Sequence, residues 1–234
     1  MVEQNTYQKI GHILIAVDCI IFGFDHGKLK LLLFKRKVQP FAGSWSLIGS
    51  FIKDEESVPN AAQRILKEVT GLNTIYFEEL KTYSQVDRDP GGRCISIAQY
   101  ALIRLDTLHK ELVKNYDAQW FELSRIPDLV LDHGIMVQDA LQQLRNQVKF
   151  YPIGFKLLPK KFTLRQIQSL YEELFQRKLD TRNFRKKLVS LGILKALPEK
   201  DKSTSKKGSY LYEFDLKKYN RLLKNGFYIS FFKG

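Results

Sequence analysis

Residues 64–72 read RILKEVTGL, and the reading of this stretch decides the fold. The run from Ala61 to Val69 predicts a helix, with Ser57 as its N-cap, Pro59 in its first turn and Gly71 as its stop. Helix positions i, i+3 and i+4 share a face, so residues 65, 68 and 69 stand together. Here they are Ile65, Glu68 and Val69, one carboxylate between two aliphatic side chains. A divalent cation such as Mg²⁺ needs hard oxygen ligands and compensating negative charge. This face offers too little of either and is suited to packing.

The flanking sequence predicts a sheet around that helix. Residues 12–24 and 28–36 read as two strands joined at Asp25–Gly27. The loop VQPFAGSW and an extended SLIGSFI precede the helix. Further strands are expected at 75–86 and 94–105, separated by the Pro90-Gly91-Gly92 turn, and AQWFEL adds a short strand. A second helix is expected at 133–148, with Ile135, Ala140, Leu141 and Leu144 facing inward. Strands and helices mix without regular βαβ alternation, so the class is α+β around a mixed sheet.

Charge divides the 234-residue chain into two parts. Residues 1–150 balance 18 Lys/Arg against 18 Asp/Glu, whereas residues 151–234 carry 20 against 7. The whole excess of +13 therefore lies in the last third. Phe, Leu, Ile and Tyr recur there at regular spacing, so the segment can bury a core and fold. Two modules are expected, 1–150 and 151–234, with different partners. Cys19 and Cys94 read as buried thiols in a reducing compartment. The four histidines are scattered, and no spacing suggests a metal site. The longest apolar run, ILIAVDCIIFGF, is too short to span a bilayer, and no signal-peptide pattern opens the chain. A cytoplasmic protein with no membrane partner is the expectation.

In the basic third, FYPIGFKLLP reads as a linker broken by Pro152, Gly154 and Pro159. FTLRQIQSLYEELFQRKL places Leu164, Ile167, Tyr171, Leu174 and Phe175 on one helical face, with Thr163 as N-cap. A second helix begins near Asp180, turns Phe184, Leu188 and Leu191 inward, and ends at Gly192. Its exposed arc carries Arg182, Asn183, Arg185 and Lys186. Two helices joined by a tight turn, followed by a hairpin with Lys202, Lys206 and Lys207 at its tip, describe a winged helix-turn-helix. The four helix residues are candidates for reading base edges in double-stranded DNA, and the wing lysines for holding phosphates. The competing reading is a solvated basic face.

The order GSWSLIGSFIKDEES…AAQRILKEVTGL resembles the Nudix hydrolase family. Glu56, Arg64, Gly71 and Leu72 hold family positions, and the opening glycine is replaced by Ser50 with Gly49 just before it. The three helix glutamates fall on Ile65, Glu68 and Val69. The resemblance thus implies a Nudix-like α/β/α domain without Nudix chemistry, that is, no catalytic residues, no metal and no cofactor. Candidate effector-binding residues are Asp18, Lys35, Trp45, Glu68, Arg88 and Asp89. Each has a structural alternative: Asp18 as a strand-edge cap, Lys35 and Arg88 as solvated charges, Trp45 as core. The C-terminal run resembles the winged domain of the Nudix-related transcriptional regulators, whose known members are dimeric repressors. One branch senses ADP-ribose-type nucleotides and controls NAD metabolism; another controls sugar utilisation. The overall likeness to the arabinose-responsive branch implies a homodimeric repressor released from its operator by L-arabinose. The alternatives are a regulator of NAD metabolism sensing ADP-ribose-type nucleotides, a nucleotide-diphosphate hydrolase with a nucleic-acid-binding tail, and a non-specific nucleic-acid-binding protein with a dimerising first domain.

Overall fold

The computed structural model describes residues 12–72, 75–105, 116–150, 153–203 and 206–225. A hairpin opens the described chain, β1 (Leu14–Asp25) followed by β2 (Lys28–Lys35). Its turn needs positive φ at both central residues, and His26 and Gly27 supply it at 46° and 78°. β3 (Trp45–Ser46), β4 (Ile48–Phe51), β5 (Glu78–Tyr83), β6 (Cys94–Arg104) and β7 (Ala118–Glu122) complete a seven-stranded sheet. Its order is β3-β2-β1-β6-β5, with β4 added to β1 and β7 to β2. β1 and β6 run parallel, and the other strand pairings are antiparallel.

Side chains alternate across β1, so the sheet has two buried faces. Val17, Cys19 and Ile21 pack against Ala61, Ala62, Ile65 and Leu66 of α1 (Val58–Thr70). Ile20 and Phe22 pack on the other side against Met136, Val137, Ala140 and Leu144 of α2 (His133–Phe150). The result is the expected mixed-sheet α/β/α domain, followed by a winged helix-turn-helix. α3 (Leu164–Phe175) carries a capping box between Thr163 and Gln166, and α4 (Thr181–Ser190) is capped by Asp180. β9 (Leu194–Asp201) and β10 (Ser209–Phe214) form the wing, and β8 (Phe162–Thr163) pairs with β10.

Several expectations change. Ile135 is exposed, because the inward stripe of α2 runs through Met136, Val137, Ala140 and Leu144. The strand expected at 75–86 is shorter at both ends. The expected linker is a packed segment: Phe155, Leu157 and Leu158 are buried, and Phe155 stacks on Phe214 at 4.4 Å. Pro152 lies outside the described residues. A final helix, α5 (Leu216–Lys224), follows the wing and was not anticipated. Among the described residues no helix is long and apolar enough to cross a membrane.

Candidate functional site

The α1 face shows how the family positions have been reused. Arg64 Nε donates to Glu56 Oε2 at 2.8 Å, and Nη2 pairs with Glu56 Oε1. Nη1 reaches Glu68 Oε2 at 3.0 Å, and Nη2 also donates to the Phe51 carbonyl. One guanidinium thus neutralises both surviving carboxylates. Its hydrogen bonds hold the Glu56 carboxyl down at about 2. Ile65 is fully buried and, like Val69, carries no donor atom. These residues do not fit the divalent-metal site of the family. Among the described residues no group of three or more His, Cys, Asp or Glu could hold an ion. Beside the clamp lies a cavity of about 570 Å³ lined by Arg64, Lys67, Glu68, Gly71 and Tyr116.

On the opposite side of the sheet the structure brings Asp18 and Arg88 into one buried network. Asp18 Oδ2 accepts from Ser96 Oγ at 2.6 Å and stands 3.9 Å from Arg88 Nη2. Arg88 grips Asp132 with two bonds, 2.9 and 2.7 Å. His133 Nδ1 accepts from Leu47 N at 3.1 Å, which leaves the ring proton on Nε2, 3.6 Å from Asp18 Oδ1. Burial pushes the His133 pKa down, opposed by the Asp18 and Asp132 charges. Gly49 pairs with Asp18 across β4 and β1, and a Cβ there would collide with the Asp18 carboxylate. That contact explains why the chain keeps a glycine at 49 beside Ser50.

The remaining candidates are dispersed. Lys35 Nζ lies 5.3 Å above the Trp45 ring, which packs edge-on against Phe121 and adjoins Ser46 of the network. Asp89 caps its turn by accepting from Gly91 N. Glu68 stands on α1, across the sheet from Asp18. Sequence reasoning missed Ser46, Ser96, Asp132 and His133. The Asp132-His133 pair at a predicted helix start was the available signal.

In the winged domain, Arg182, Asn183 and Lys186 of α4 are exposed, while Phe184 and Leu188 are buried beneath them. Arg185 is half-buried, and its Nε is without a hydrogen-bond partner. Lys202, Lys206 and Lys207 are exposed at the wing tip. The turn leading into α4 is held by α3. Glu172 Oε1 accepts from Leu179 N at 3.1 Å, and Gln168 Nε2 donates to Thr181 Oγ1 at 3.0 Å. The neighbouring Glu173 faces the first domain, accepting from Lys28 Nζ at 2.9 Å and Leu29 N at 3.1 Å. From the far end of α2, Arg145 Nε donates to the Leu174 carbonyl at 2.8 Å.

A metal-poor Nudix fold sharing a core with a basic winged helix defines the class. The chain belongs to the Nudix family: the NUDIX domain matches residues 12–140, and the NrtR DNA-binding winged helix domain matches residues 154–214. It is 28% identical to the "ADPR responsive transcriptional repressor NtrR" of Acinetobacter baylyi, over 88% of this chain and 84% of that protein. It is 37% identical to an ADP-ribose pyrophosphatase of Methanocaldococcus jannaschii, over 60% of this chain and 80% of that protein. Shewanella oneidensis NrtR in complex with a 27mer DNA superposes with a TM-score of 0.71 at 26% identity, covering 86% of this chain and 93% of that one. These relatives overturn the L-arabinose expectation. That expectation rested on overall likeness to the arabinose-responsive branch, whereas two of these relatives are of the NrtR type, one of them described as an ADPR responsive repressor. Lys67 lines the α1 cavity, and Lys35 lies over Trp45.

Proposed function

We propose that the chain is a DNA-binding transcriptional repressor of NAD metabolism, and that its Nudix domain senses ADP-ribose or a close nucleotide without hydrolysing it. The observation that carries this reading is the Arg64 clamp beside the buried Ile65. Ile65 and Val69 stand where the family's chemistry needs carboxylates to bind a cation, and the Glu56 and Glu68 that remain are taken up by Arg64. Residues 1–150 form the sensor and 151–234 the reading head of a cytoplasmic homodimer on a palindromic operator. Arg182, Asn183, Arg185 and Lys186 read bases, and Lys202, Lys206 and Lys207 hold phosphates. Trp45 and Lys35 offer a ring and a cation to the effector, with Asp18 and Arg88 behind them. Glu68 lines the α1 cavity, and Asp89 caps the turn that follows Arg88.

An effector acts only through differential affinity for two arrangements of the protein. α2 supports such a response. It starts at the His133 network and runs about 18 Å at 1.5 Å per residue before Arg145 meets the end of α3. α3 in turn holds the entry to α4 through Glu172 and Gln168.

The pyrophosphatase relative favours a second reading, an ADP-ribose hydrolase. The test joins calorimetric titration with ADP-ribose to an assay for its cleavage in Mg²⁺ or Mn²⁺. Saturable binding with intact nucleotide supports the sensor. Turnover near 1 s⁻¹, typical of enzymes at about 1–10³ s⁻¹, and abolished by Glu68→Gln, establishes the hydrolase.

A further inference from the structure

The winged-helix match ends at residue 214, but the chain then forms α5. Asp215 caps it by accepting from Lys218 N at 2.9 Å. Tyr219 is buried and meets the Phe214 ring at 5.5 Å, with Leu222 and Leu223 packed beside it. The outward face carries Lys217, Lys218, Arg221 and Lys224, all exposed. Two lysines elsewhere in this domain are paired, Lys161 with Glu199 and Lys178 with Glu172. Among the described residues none of the four cations of α5 has an acidic partner.

The dipole favours Arg221 and Lys224 in the last turn, but the rest of the arrangement works against the helix. Lys217, Arg221 and Lys224 follow i, i+4, i+7, and Lys218 and Arg221 follow i, i+3, so like charges stack along one stripe. Lys217 and Lys218 also stand in the first turn, where the helix dipole disfavours cations. A polyanion along the stripe would remove both penalties. The position suits DNA: Asp215 N donates to the Ile193 carbonyl, and Lys218 Nζ lies 3.0 Å from where a Gly192 Cβ would be. α5 therefore starts beside the C-terminal end of α4, the helix that exposes Lys186.

We propose that α5 is an additional DNA-backbone contact, with Lys217, Lys218, Arg221 and Lys224 holding phosphates that flank the bases read by α4. The proposal rests on the DNA-binding reading given above. Phosphate contacts position a protein without reading sequence, so α5 adds affinity to every duplex. The test uses the full chain carrying Lys217→Ala with Arg221→Ala, titrated onto operator and onto unrelated duplex at several salt concentrations.

Each lost phosphate contact lowers the slope of log affinity against log salt by about 0.9. The double variant is expected to lose about 1–2 in slope and to bind both duplexes more weakly by the same factor. Its thermal midpoint should be unchanged or raised, since repulsion is relieved. Lys217→Arg with Arg221→Lys should keep the wild-type slope. An unchanged slope in the double variant, while Arg182→Ala still loses operator preference, sinks the proposal and leaves the DNA-binding reading standing. A wild-type chain that binds no duplex sinks both.

Discussion

Glu173→Ala should uncouple the two halves of the protein. Both Glu173 oxygens are committed to the β1–β2 hairpin, one to Lys28 Nζ and one to Leu29 N. The ion pair is half exposed on the lysine side and contributes little after solvent screening. The backbone bond matters more. A hydrogen bond to a charged group contributes about 1.5–3 kcal/mol, and removing its acceptor leaves a donor unsatisfied at about 1–3 kcal/mol. Coupling free energies between sites are themselves about 1–3 kcal/mol, or about 5–150-fold in affinity. Loosening this contact is therefore large enough to absorb the whole response. In fluorescence anisotropy on labelled operator, Glu173→Ala should bind about as tightly as wild type but lose most of its release by ADP-ribose. Glu173→Gln keeps an acceptor for Leu29 N and should retain much of the release. Wild-type release in Glu173→Ala would show that the signal does not pass through this contact.

Three further outcomes follow from particular contacts. Gly49→Ala forces a methyl against Asp18. It should cost about 1–3 kcal/mol as an overpacked core, visible as a lowered midpoint in thermal unfolding. His133 is held neutral, with its folded pKa below the ordinary 6.5. Its contribution is therefore fully present above pH 6.5 and lost as pH falls through the folded value; urea titrations across pH 4–8 should show this loss, reduced in His133→Gln. Arg182→Ala should cost about 1–3 kcal/mol on operator if it reads a base, whereas Lys206→Ala should weaken all duplexes alike and flatten the salt slope by about 0.9. Gel shifts on matched and scrambled sequences separate the two effects.

The fold was legible because its punctuation is local. Ser57, Gly71, Thr163 and Asp180 cap helices where their chemistry demands, and the hairpin turn sits on Asp25–Gly27. The site was less legible because its partners are distant in sequence. Asp18 meets Ser96 and His133, and Arg88 meets Asp132, only after the sheet has formed. Glu173 looks like an ordinary exposed helix residue until β2 is placed beside it. α5 escaped notice because its charges masked the Tyr219, Leu222 and Leu223 stripe.

The most direct measurement is anisotropy of the wild-type chain on its labelled operator, titrated with ADP-ribose and with L-arabinose, the nucleotide recovered and analysed afterwards. ADP-ribose should dissociate the complex and be recovered intact, with L-arabinose inert. A complex indifferent to ADP-ribose, or a nucleotide recovered as AMP and ribose 5-phosphate, would contradict the account.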